Sequence, residues 1–376
     1  MRGLVLSVVL LVVTPLYAQS LGSDRAAALY SSQIHFDANN VPVVTIGVVD
    51  GERRVSFSSQ ARMRILVDGP GGPEIITEPG RRWTASISNA SSAQTAWHVR
   101  LSAHASDKMA EIQQARKLWK SRSVEIKSVD VGSVFGFVGK MLSSQNTILV
   151  TKREYSSVSD ARKTATALSK QYDFVANVLP RIRERASGDV TLTDGLISIR
   201  AKDVLWMEPV NPEGTITVEQ VQYGRGFPWR GRQDRQYRGT LYITVGRDGG
   251  IVVGNMISAE VALKGLVPAE MIPSAPSQAL QAQAIAARTE LLAKVGRRHL
   301  ADPYLFCGDV HCQVYAGSLR EDARTSEAVD ATKGRVLVHN ERLVDSVYSA
   351  NCGGHTEHSH AVWKGGPIAT LHGKAE

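Results

Sequence analysis

After residue 18 the sequence has no stretch long and apolar enough to cross a membrane, so no internal membrane anchor is expected. Cysteine is scarce: three in 376 residues allow at most one disulfide, and none follows the N-terminal apolar run directly, which argues against a lipoprotein. Carboxylates thin out as well. Between Ser258 and Arg288 only Glu260 and Glu270 carry one, so a glycosidase with two local acids is not the natural reading of this region.

What is present begins with residues 2–18, RGLVLSVVLLVVTPLYA: one Arg, a short apolar run, Pro15 and the small Ala18. This is the pattern of a secretory signal peptide, and the mature chain is expected to be exported to the periplasm, cell envelope or exterior. With 43% hydrophobic residues, 376 residues suffice for two or three domains with real cores. The formal charge of +8 suits an anionic envelope partner. Five arginines surround Trp229 in YGRGFPWRGRQDRQYRG, which in a cytoplasmic protein would suggest RNA. Behind a signal peptide the run reads as a solvated loop leading into a strand, and no nucleic-acid partner is expected.

Three regions follow. Residues 19–95 alternate in short runs broken by GPGGP and EPG, the signature of a small β module. Residues 96–178 switch from strand to helical period and back: WHVRLSA, then DKMAEIQQARKLWKS, VEIKSVDV, VFGFVGK with TILVTKREY, and a helix opened by Ser157. The order βαββαβ predicts a ferredoxin-like unit. Residues 188–376 read as mixed α+β, with strands to about Ser258 and a helix from about Ser277 to Val295, for which Ser274 is the expected N-cap. That helix is rich in Ala, so Gln283 and Arg288 stand out on it. Just ahead of it, GLVPAEMIP sets Glu270 among Leu, Val, Met, Ile and two prolines. Such an apolar enclosure would suit a proton donor working near neutral pH.

Cys307, His311 and Cys312 in CGDVHC, with His299 upstream, supply four N/S ligands, the number tetrahedral zinc takes. In an exported protein a disulfide between Cys307 and Cys312, or from either to Cys352, is an equal alternative. Either would be structural, clamping a loop near the cleft. NCGGHTEHSH reads as a tight turn beside Tyr348, Ser349 and Thr356, with His358 and His360 solvated.

Two resemblances add to this. Residues 96–178, by their topology and the REYSSVSDARKTATAL junction, resemble the sporulation-related-repeat (SPOR) domain, which implies binding to glycan strands of peptidoglycan. From about Val190 onward, YRGTLYITVGRDGGIVVGNMISAEVALKGLVPAEM, QALQAQAIAARTE, CGDVHCQVYAG, AVDATKGRVLVHN and VYSANCGGHTE resemble, in order, the stage II sporulation protein D / amidase-enhancer family. The resemblance implies an α+β catalytic domain, a peptidoglycan lytic transglycosylase with Glu270 as acid and Arg288 as its partner, and in some members zinc at the Cys/His cluster. No cofactor is required for the chemistry. One carboxylate is enough, because the muramic acid 6-hydroxyl attacks its own C1. Glu260 is expected to form a structural ion pair or to bind substrate, and Gln283, Tyr348, Ser349 and Thr356 to line the sugar site. The family's other name implies the alternative, a binding protein that stimulates a cell-wall amidase. Family domains usually continue past Trp363, so a C-terminally incomplete domain is expected.

Overall fold

The structure, a computed structural model, describes residues 25–375 apart from 68, 70, 71, 138, 350 and 364–366. The expected signal peptide lies outside the described residues. Among those described, no helix is long and apolar enough to cross a membrane.

Two antiparallel sheets enclose the largest core. One runs, in spatial order, His35–Phe36, Pro42–Glu52, Ile251–Ser258, Thr240–Val245, Val204–Pro209, Met63–Leu66 and Glu74–Thr77, with Phe306–Cys307 added parallel to Pro42–Glu52. The other runs Ser198–Lys202, Ser187–Thr193, Arg82–Ser91, Arg54–Ser58, Ile216–Tyr223 and Gly231–Tyr237. Alternate residues of both meet in one core, where Phe57, Trp83, Val190 and Leu192 pack with Ile46, Ile65, Leu205 and Val253. The expected division at residue 95 is therefore absent from the sheets. In the first sheet strands from 204–258 lie between strands from 35–77, and in the second strands from 54–91 lie between strands from 187–237, because each sheet needs partners from both segments to bury its apolar face.

The ferredoxin-like expectation is met in topology. Strand Gln94–Ala105, helix α1 (Met109–Ser121), strands Ile126–Val131 and Asn146–Thr151, helix α2 (Val158–Tyr172) and strand Asn177–Glu184 form an antiparallel sheet in which the last strand lies beside the first. Ser157 caps α2 as expected, its side chain accepting from Ser159 N–H. Both helices cover one face, with Trp119, Ala161 and Ala165 packed on Val99 and Leu149. The opposite face packs Val131, Ile148, Val150 and Leu179 toward Leu300 of the C-terminal part, so it is already partly covered. A hairpin inserted in the unit, Val134–Phe137 with Lys140–Ser143, pairs with Arg342–Leu343 and buries Phe135 and Leu142 against Leu292 and Ala293. The unit is thus docked on the C-terminal part by a sheet, a core and the Arg342–Asp107 ion pair.

The helices of the C-terminal part are α3 (Ala259–Glu270), α4 (Ser277–Ala293), α5 (Ala323–Ala331) and the short α6 (Ser359–Trp363). Leu263, Leu266, Val267, Ala284, Ala287 and Val329 form the core where α3, α4 and α5 meet. Glu270 lies in the last turn of α3, with Pro268 inside the helix. Pro268 has no N–H to give the Lys264 carbonyl, so α3 lacks that bond two residues before it ends. Gly265 is required where it stands: a Cβ there would lie 2.7 Å from the Gly317 carbonyl oxygen. The N-cap of α4 is Pro276, without a side-chain hydrogen bond, and not Ser274.

Candidate functional site

Glu270 ends α3, where the partial negative charge of a helix C-terminus works against a carboxylate. The Val314 N–H compensates, donating to Glu270 Oε1 at 3.0 Å. The expected apolar enclosure does not form. Leu266 and Val267 turn into the core and Ile272 is exposed, so the sequence neighbours leave the Glu270 carboxylate open to solvent.

Beside it, α4 presents one polar row. Gln283, Ala287, Glu290 and Lys294 recur at i, i+4, i+7 and i+11, which places them on one helix face. Lys294 Nζ donates to Glu290 Oε1, and Gln313 Nε2 donates to the Ala287 carbonyl at 3.3 Å, fixing the loop that carries Val314. Tyr348 lies over this row. Burial pushes its hydroxyl up, and the Glu270 and Glu290 carboxylates push it the same way, with the Gln283 side chain acting in the opposite direction. Among the described residues, Tyr348 Oη, Gln283 Nε2, Glu290 Oε2 and Gln313 Oε1 are buried atoms without a well-formed hydrogen bond, the Gln283 amide being the smallest of the influences on Tyr348. Buried polar atoms are rarely left so. Tyr348 feels both Glu270 and Glu290, which groups these atoms near the open carboxylate.

Of the sequence-predicted residues, Glu270, Gln283 and Tyr348 come together. Arg288 does not join them. Its exposure is 1%, and its guanidinium forks onto Glu260, Nε to Oε1 at 2.8 Å and Nη2 to Oε2 at 2.7 Å. It also donates to the Val329 and Arg335 carbonyls and to the Thr332 hydroxyl, stitching α3 and α4 to the end of α5. Arg288 and Glu260 are thus bound to each other, the structural ion pair that was one of the two expectations for Glu260. Ser349 donates to the Asn351 carbonyl within its own turn, and Thr356 exchanges hydrogen bonds with the Lys374 backbone, so neither is directed to Glu270. Glu290 was missed by the sequence reading. Its spacing of seven from Gln283 was the available signal.

The four predicted ligands do converge. One donor atom from each of His299, Cys307, His311 and Cys312 lies within 4.8 Å of the others. His299 Nε2 is 3.2 Å from Cys312 Sγ, and His311 Nδ1 is 3.7 Å and 3.6 Å from the sulfurs of Cys307 and Cys312. Tetrahedral zinc with ordinary Zn–N and Zn–S bonds needs ligand atoms about 3.3–3.8 Å apart, so the set fits. Asp302 holds the other His299 nitrogen at 2.9 Å, the arrangement that orients a metal-binding imidazole. Burial lowers the His299 imidazole, but Asp302 and Cys307 outweigh it and push it up to about 9. The hydrogen bond from Cys312 holds the Cys307 thiol well below its ordinary range. All three cysteines are free thiols, and Cys352 is not part of the cluster. A cavity of about 10 Å³ between Glu290, Gln313, Cys307 and Cys312 gives the cluster and the polar row a common wall.

Comparison with known proteins places this geometry. Residues 247–339 match the family model described as Stage II sporulation protein, a span that holds Glu270, the polar row and the four Cys/His ligands but not Tyr348. An uncharacterized protein of Brachyspira hyodysenteriae is 34% identical over 128 residues, 34% of this chain and 34% of that protein. The amidase enhancer of Bacillus subtilis is 42% identical over 101 residues, 27% of this chain and 13% of its own. The chain thus spans about a third of one relative and about an eighth of the other.

Proposed function

We propose that this chain, whose residues 247–339 belong to the stage II sporulation protein family, is an exported lytic transglycosylase acting on the glycan backbone of peptidoglycan. The observation that carries the reading is the open Glu270 carboxylate, with one oxygen held by Val314 N–H and, beside it, buried polar atoms of Gln283, Tyr348, Glu290 and Gln313 that make no well-formed hydrogen bond among the described residues. Glu270 Oε2 is the oxygen left for proton transfer. It would protonate the glycosidic oxygen between N-acetylmuramic acid and N-acetylglucosamine, so that the C1–O bond breaks. The same carboxylate would then take the proton from the muramic acid 6-hydroxyl as that oxygen bonds to C1, closing a 1,6-anhydro ring. Acid and base are one group at different moments, which is why no second free carboxylate is needed. Tyr348 would donate to the sugar as a neutral phenol, and Gln283 would bind an acetamido or hydroxyl group.

The Cys/His cluster would hold a structural zinc, which closes the coordination of four protein ligands and leaves no position for substrate. Its task is to fix the loop from Cys307 to Val314. Mass spectrometry of products from purified sacculi tests the whole reading. Anhydro-muropeptides are expected, and reducing muramic ends would instead mean that water attacks. The name of the Bacillus relative supports a second reading, that the chain binds the wall and stimulates an amidase. Stimulation that survives Glu270→Gln, with no glycan product from wild type, would select that alternative.

A further inference from the structure

The arginine-rich run reads differently once its partners are known. Arg225 donates through its backbone N–H to Asp309 and through its guanidinium to the Asp50 carbonyl. Arg232 pairs with Glu52, Arg235 donates to the Tyr315 carbonyl, and Arg238 pairs with Glu321. Four of the five arginines are therefore spent inside the protein. Arg230 is exposed, and its side chain makes no hydrogen bond or ion pair with any described residue.

Beside it stand two exposed aromatic rings. Phe227 and Trp229 are 40% and 54% exposed and stack on each other at 5.1 Å with 18° between planes. The pair is built into the turn. Gly224 has φ +62°, and a Cβ there would come within 2.4 Å of the Trp229 ring, so the indole rests directly on backbone. The turn is closed by Phe227 N–H to the Gly224 carbonyl and Arg230 N–H to the Phe227 carbonyl. Next to the stack, across Arg225, a cleft of about 330 Å³ is lined by Asp50, Gln222, Arg247 and Asp309, and by Cys307 and His311 of the Cys/His cluster among others. Carboxylates, an amide and guanidinium groups are planar and suit paired hydrogen bonds to adjacent hydroxyls, while aromatic faces suit the C–H faces of a pyranose ring. A protein partner would be met by a broader apolar surface than one two-ring stack beside a polar cleft. Neither Glu270 nor Tyr348 lines this cleft, and the loop Gly308–Tyr315 carries Asp309 at its wall and Val314 at Glu270.

We propose that the Phe227–Trp229 stack and the adjoining Arg225–Asp309 cleft form an accessory glycan-binding site, taking N-acetylhexosamine units of a polymer whose acidic groups lie against Arg230. The inference rests on the wall-glycan reading of the chain but concerns a site apart from Glu270. It would retain a long strand on the protein between cuts and do nothing for a fragment too short to reach it.

The test uses the full exported chain with peptide-stripped glycan strands as the probe. Trp229→Ala and Arg230→Glu are each expected to weaken co-sedimentation about tenfold, while Trp229→Phe, which keeps an aromatic face, retains most of it. Release of anhydro products from short soluble fragments should be unchanged in all three, which also reports that they fold. Wild-type affinity for strands in both Trp229→Ala and Arg230→Glu would overturn the proposal. So would unchanged strand binding together with lost binding to a purified wall amidase, which would make the patch a protein interface. If wild type binds strands through Trp229 yet releases no anhydro ends, the enzyme reading fails and the accessory site stands.

Discussion

Val314 donates its backbone N–H to Glu270 Oε1 at 3.0 Å, and Val314 stands two residues after Cys312, a member of the Cys/His cluster. The bond has two consequences. It fixes one oxygen of the carboxylate and leaves the other for the substrate, and it ties the carboxylate to a loop whose geometry the cluster sets.

Replacing Glu270 by Gln keeps the acceptor oxygen for Val314 and removes the transferable proton. Release of anhydro-muropeptides should fall by on the order of a hundredfold or more, with co-sedimentation on sacculi nearly unchanged. Wild-type product yield from Glu270→Gln would remove Glu270 from the chemistry.

Much of this was legible in the sequence, for local reasons. CGDVHC places three ligands within one tight loop, and His299 is only eight residues ahead of Cys307, so the cluster follows from short-range spacing. The βαββαβ order was visible because the apolar period changes at each junction; its ends extend to Gln94 and Glu184 beyond the expected 96 and 178. The interleaving of Pro42–Glu52 beside Ile251–Ser258 was not legible, because alternation says that a strand has a buried face and not which distant strand covers it. The Arg288–Glu260 pair was not legible either, because 28 positions separate its partners and nothing local joins them.

Arg288→Ala should act through folding. Side-chain exposures of 2% for Arg288 and 13% for Glu260 mean that removing the cation leaves a mostly buried carboxylate without its counter-charge. The cost of breaking such a pair is about 3–5 kcal/mol. Urea unfolding should show that loss, and the double change Arg288→Met with Glu260→Leu should recover part of it. Full wild-type stability in Arg288→Ala, with turnover lost, would return Arg288 to the active site.

Metal analysis of the purified chain should find about one equivalent of zinc, and chelation should lower its melting temperature. The cluster is not isolated from the acid, so chelation should also speed hydrogen exchange at the Val314 amide, a readout independent of activity. Cys352 should alkylate in the untreated protein, and Cys307 and Cys312 only after chelation. An intact mass two hydrogens short with no metal bound would show a disulfide in place of the cluster.

The final expectation concerns Tyr348 and its pH dependence. Burial, Glu270 and Glu290 all raise the hydroxyl above its ordinary value near 10, so the folded protein keeps the phenol protonated where an unfolded chain has begun to ionise. The unfolded state then binds fewer protons than the folded one above pH 10, and stability should fall with rising pH there while remaining flat, as far as Tyr348 is concerned, from pH 5 to 9. Tyr348→Phe should remove that alkaline loss and, by deleting a donor to the sugar, lower turnover by roughly tenfold or more at every pH in the neutral range. Because the phenol is neutral throughout that range, the height of the pH–rate profile should drop without movement of its limbs. A limb that shifts below pH 9 in Tyr348→Phe would mean that the hydroxyl titrates during catalysis and that its role is proton transfer, not donation to the bound sugar.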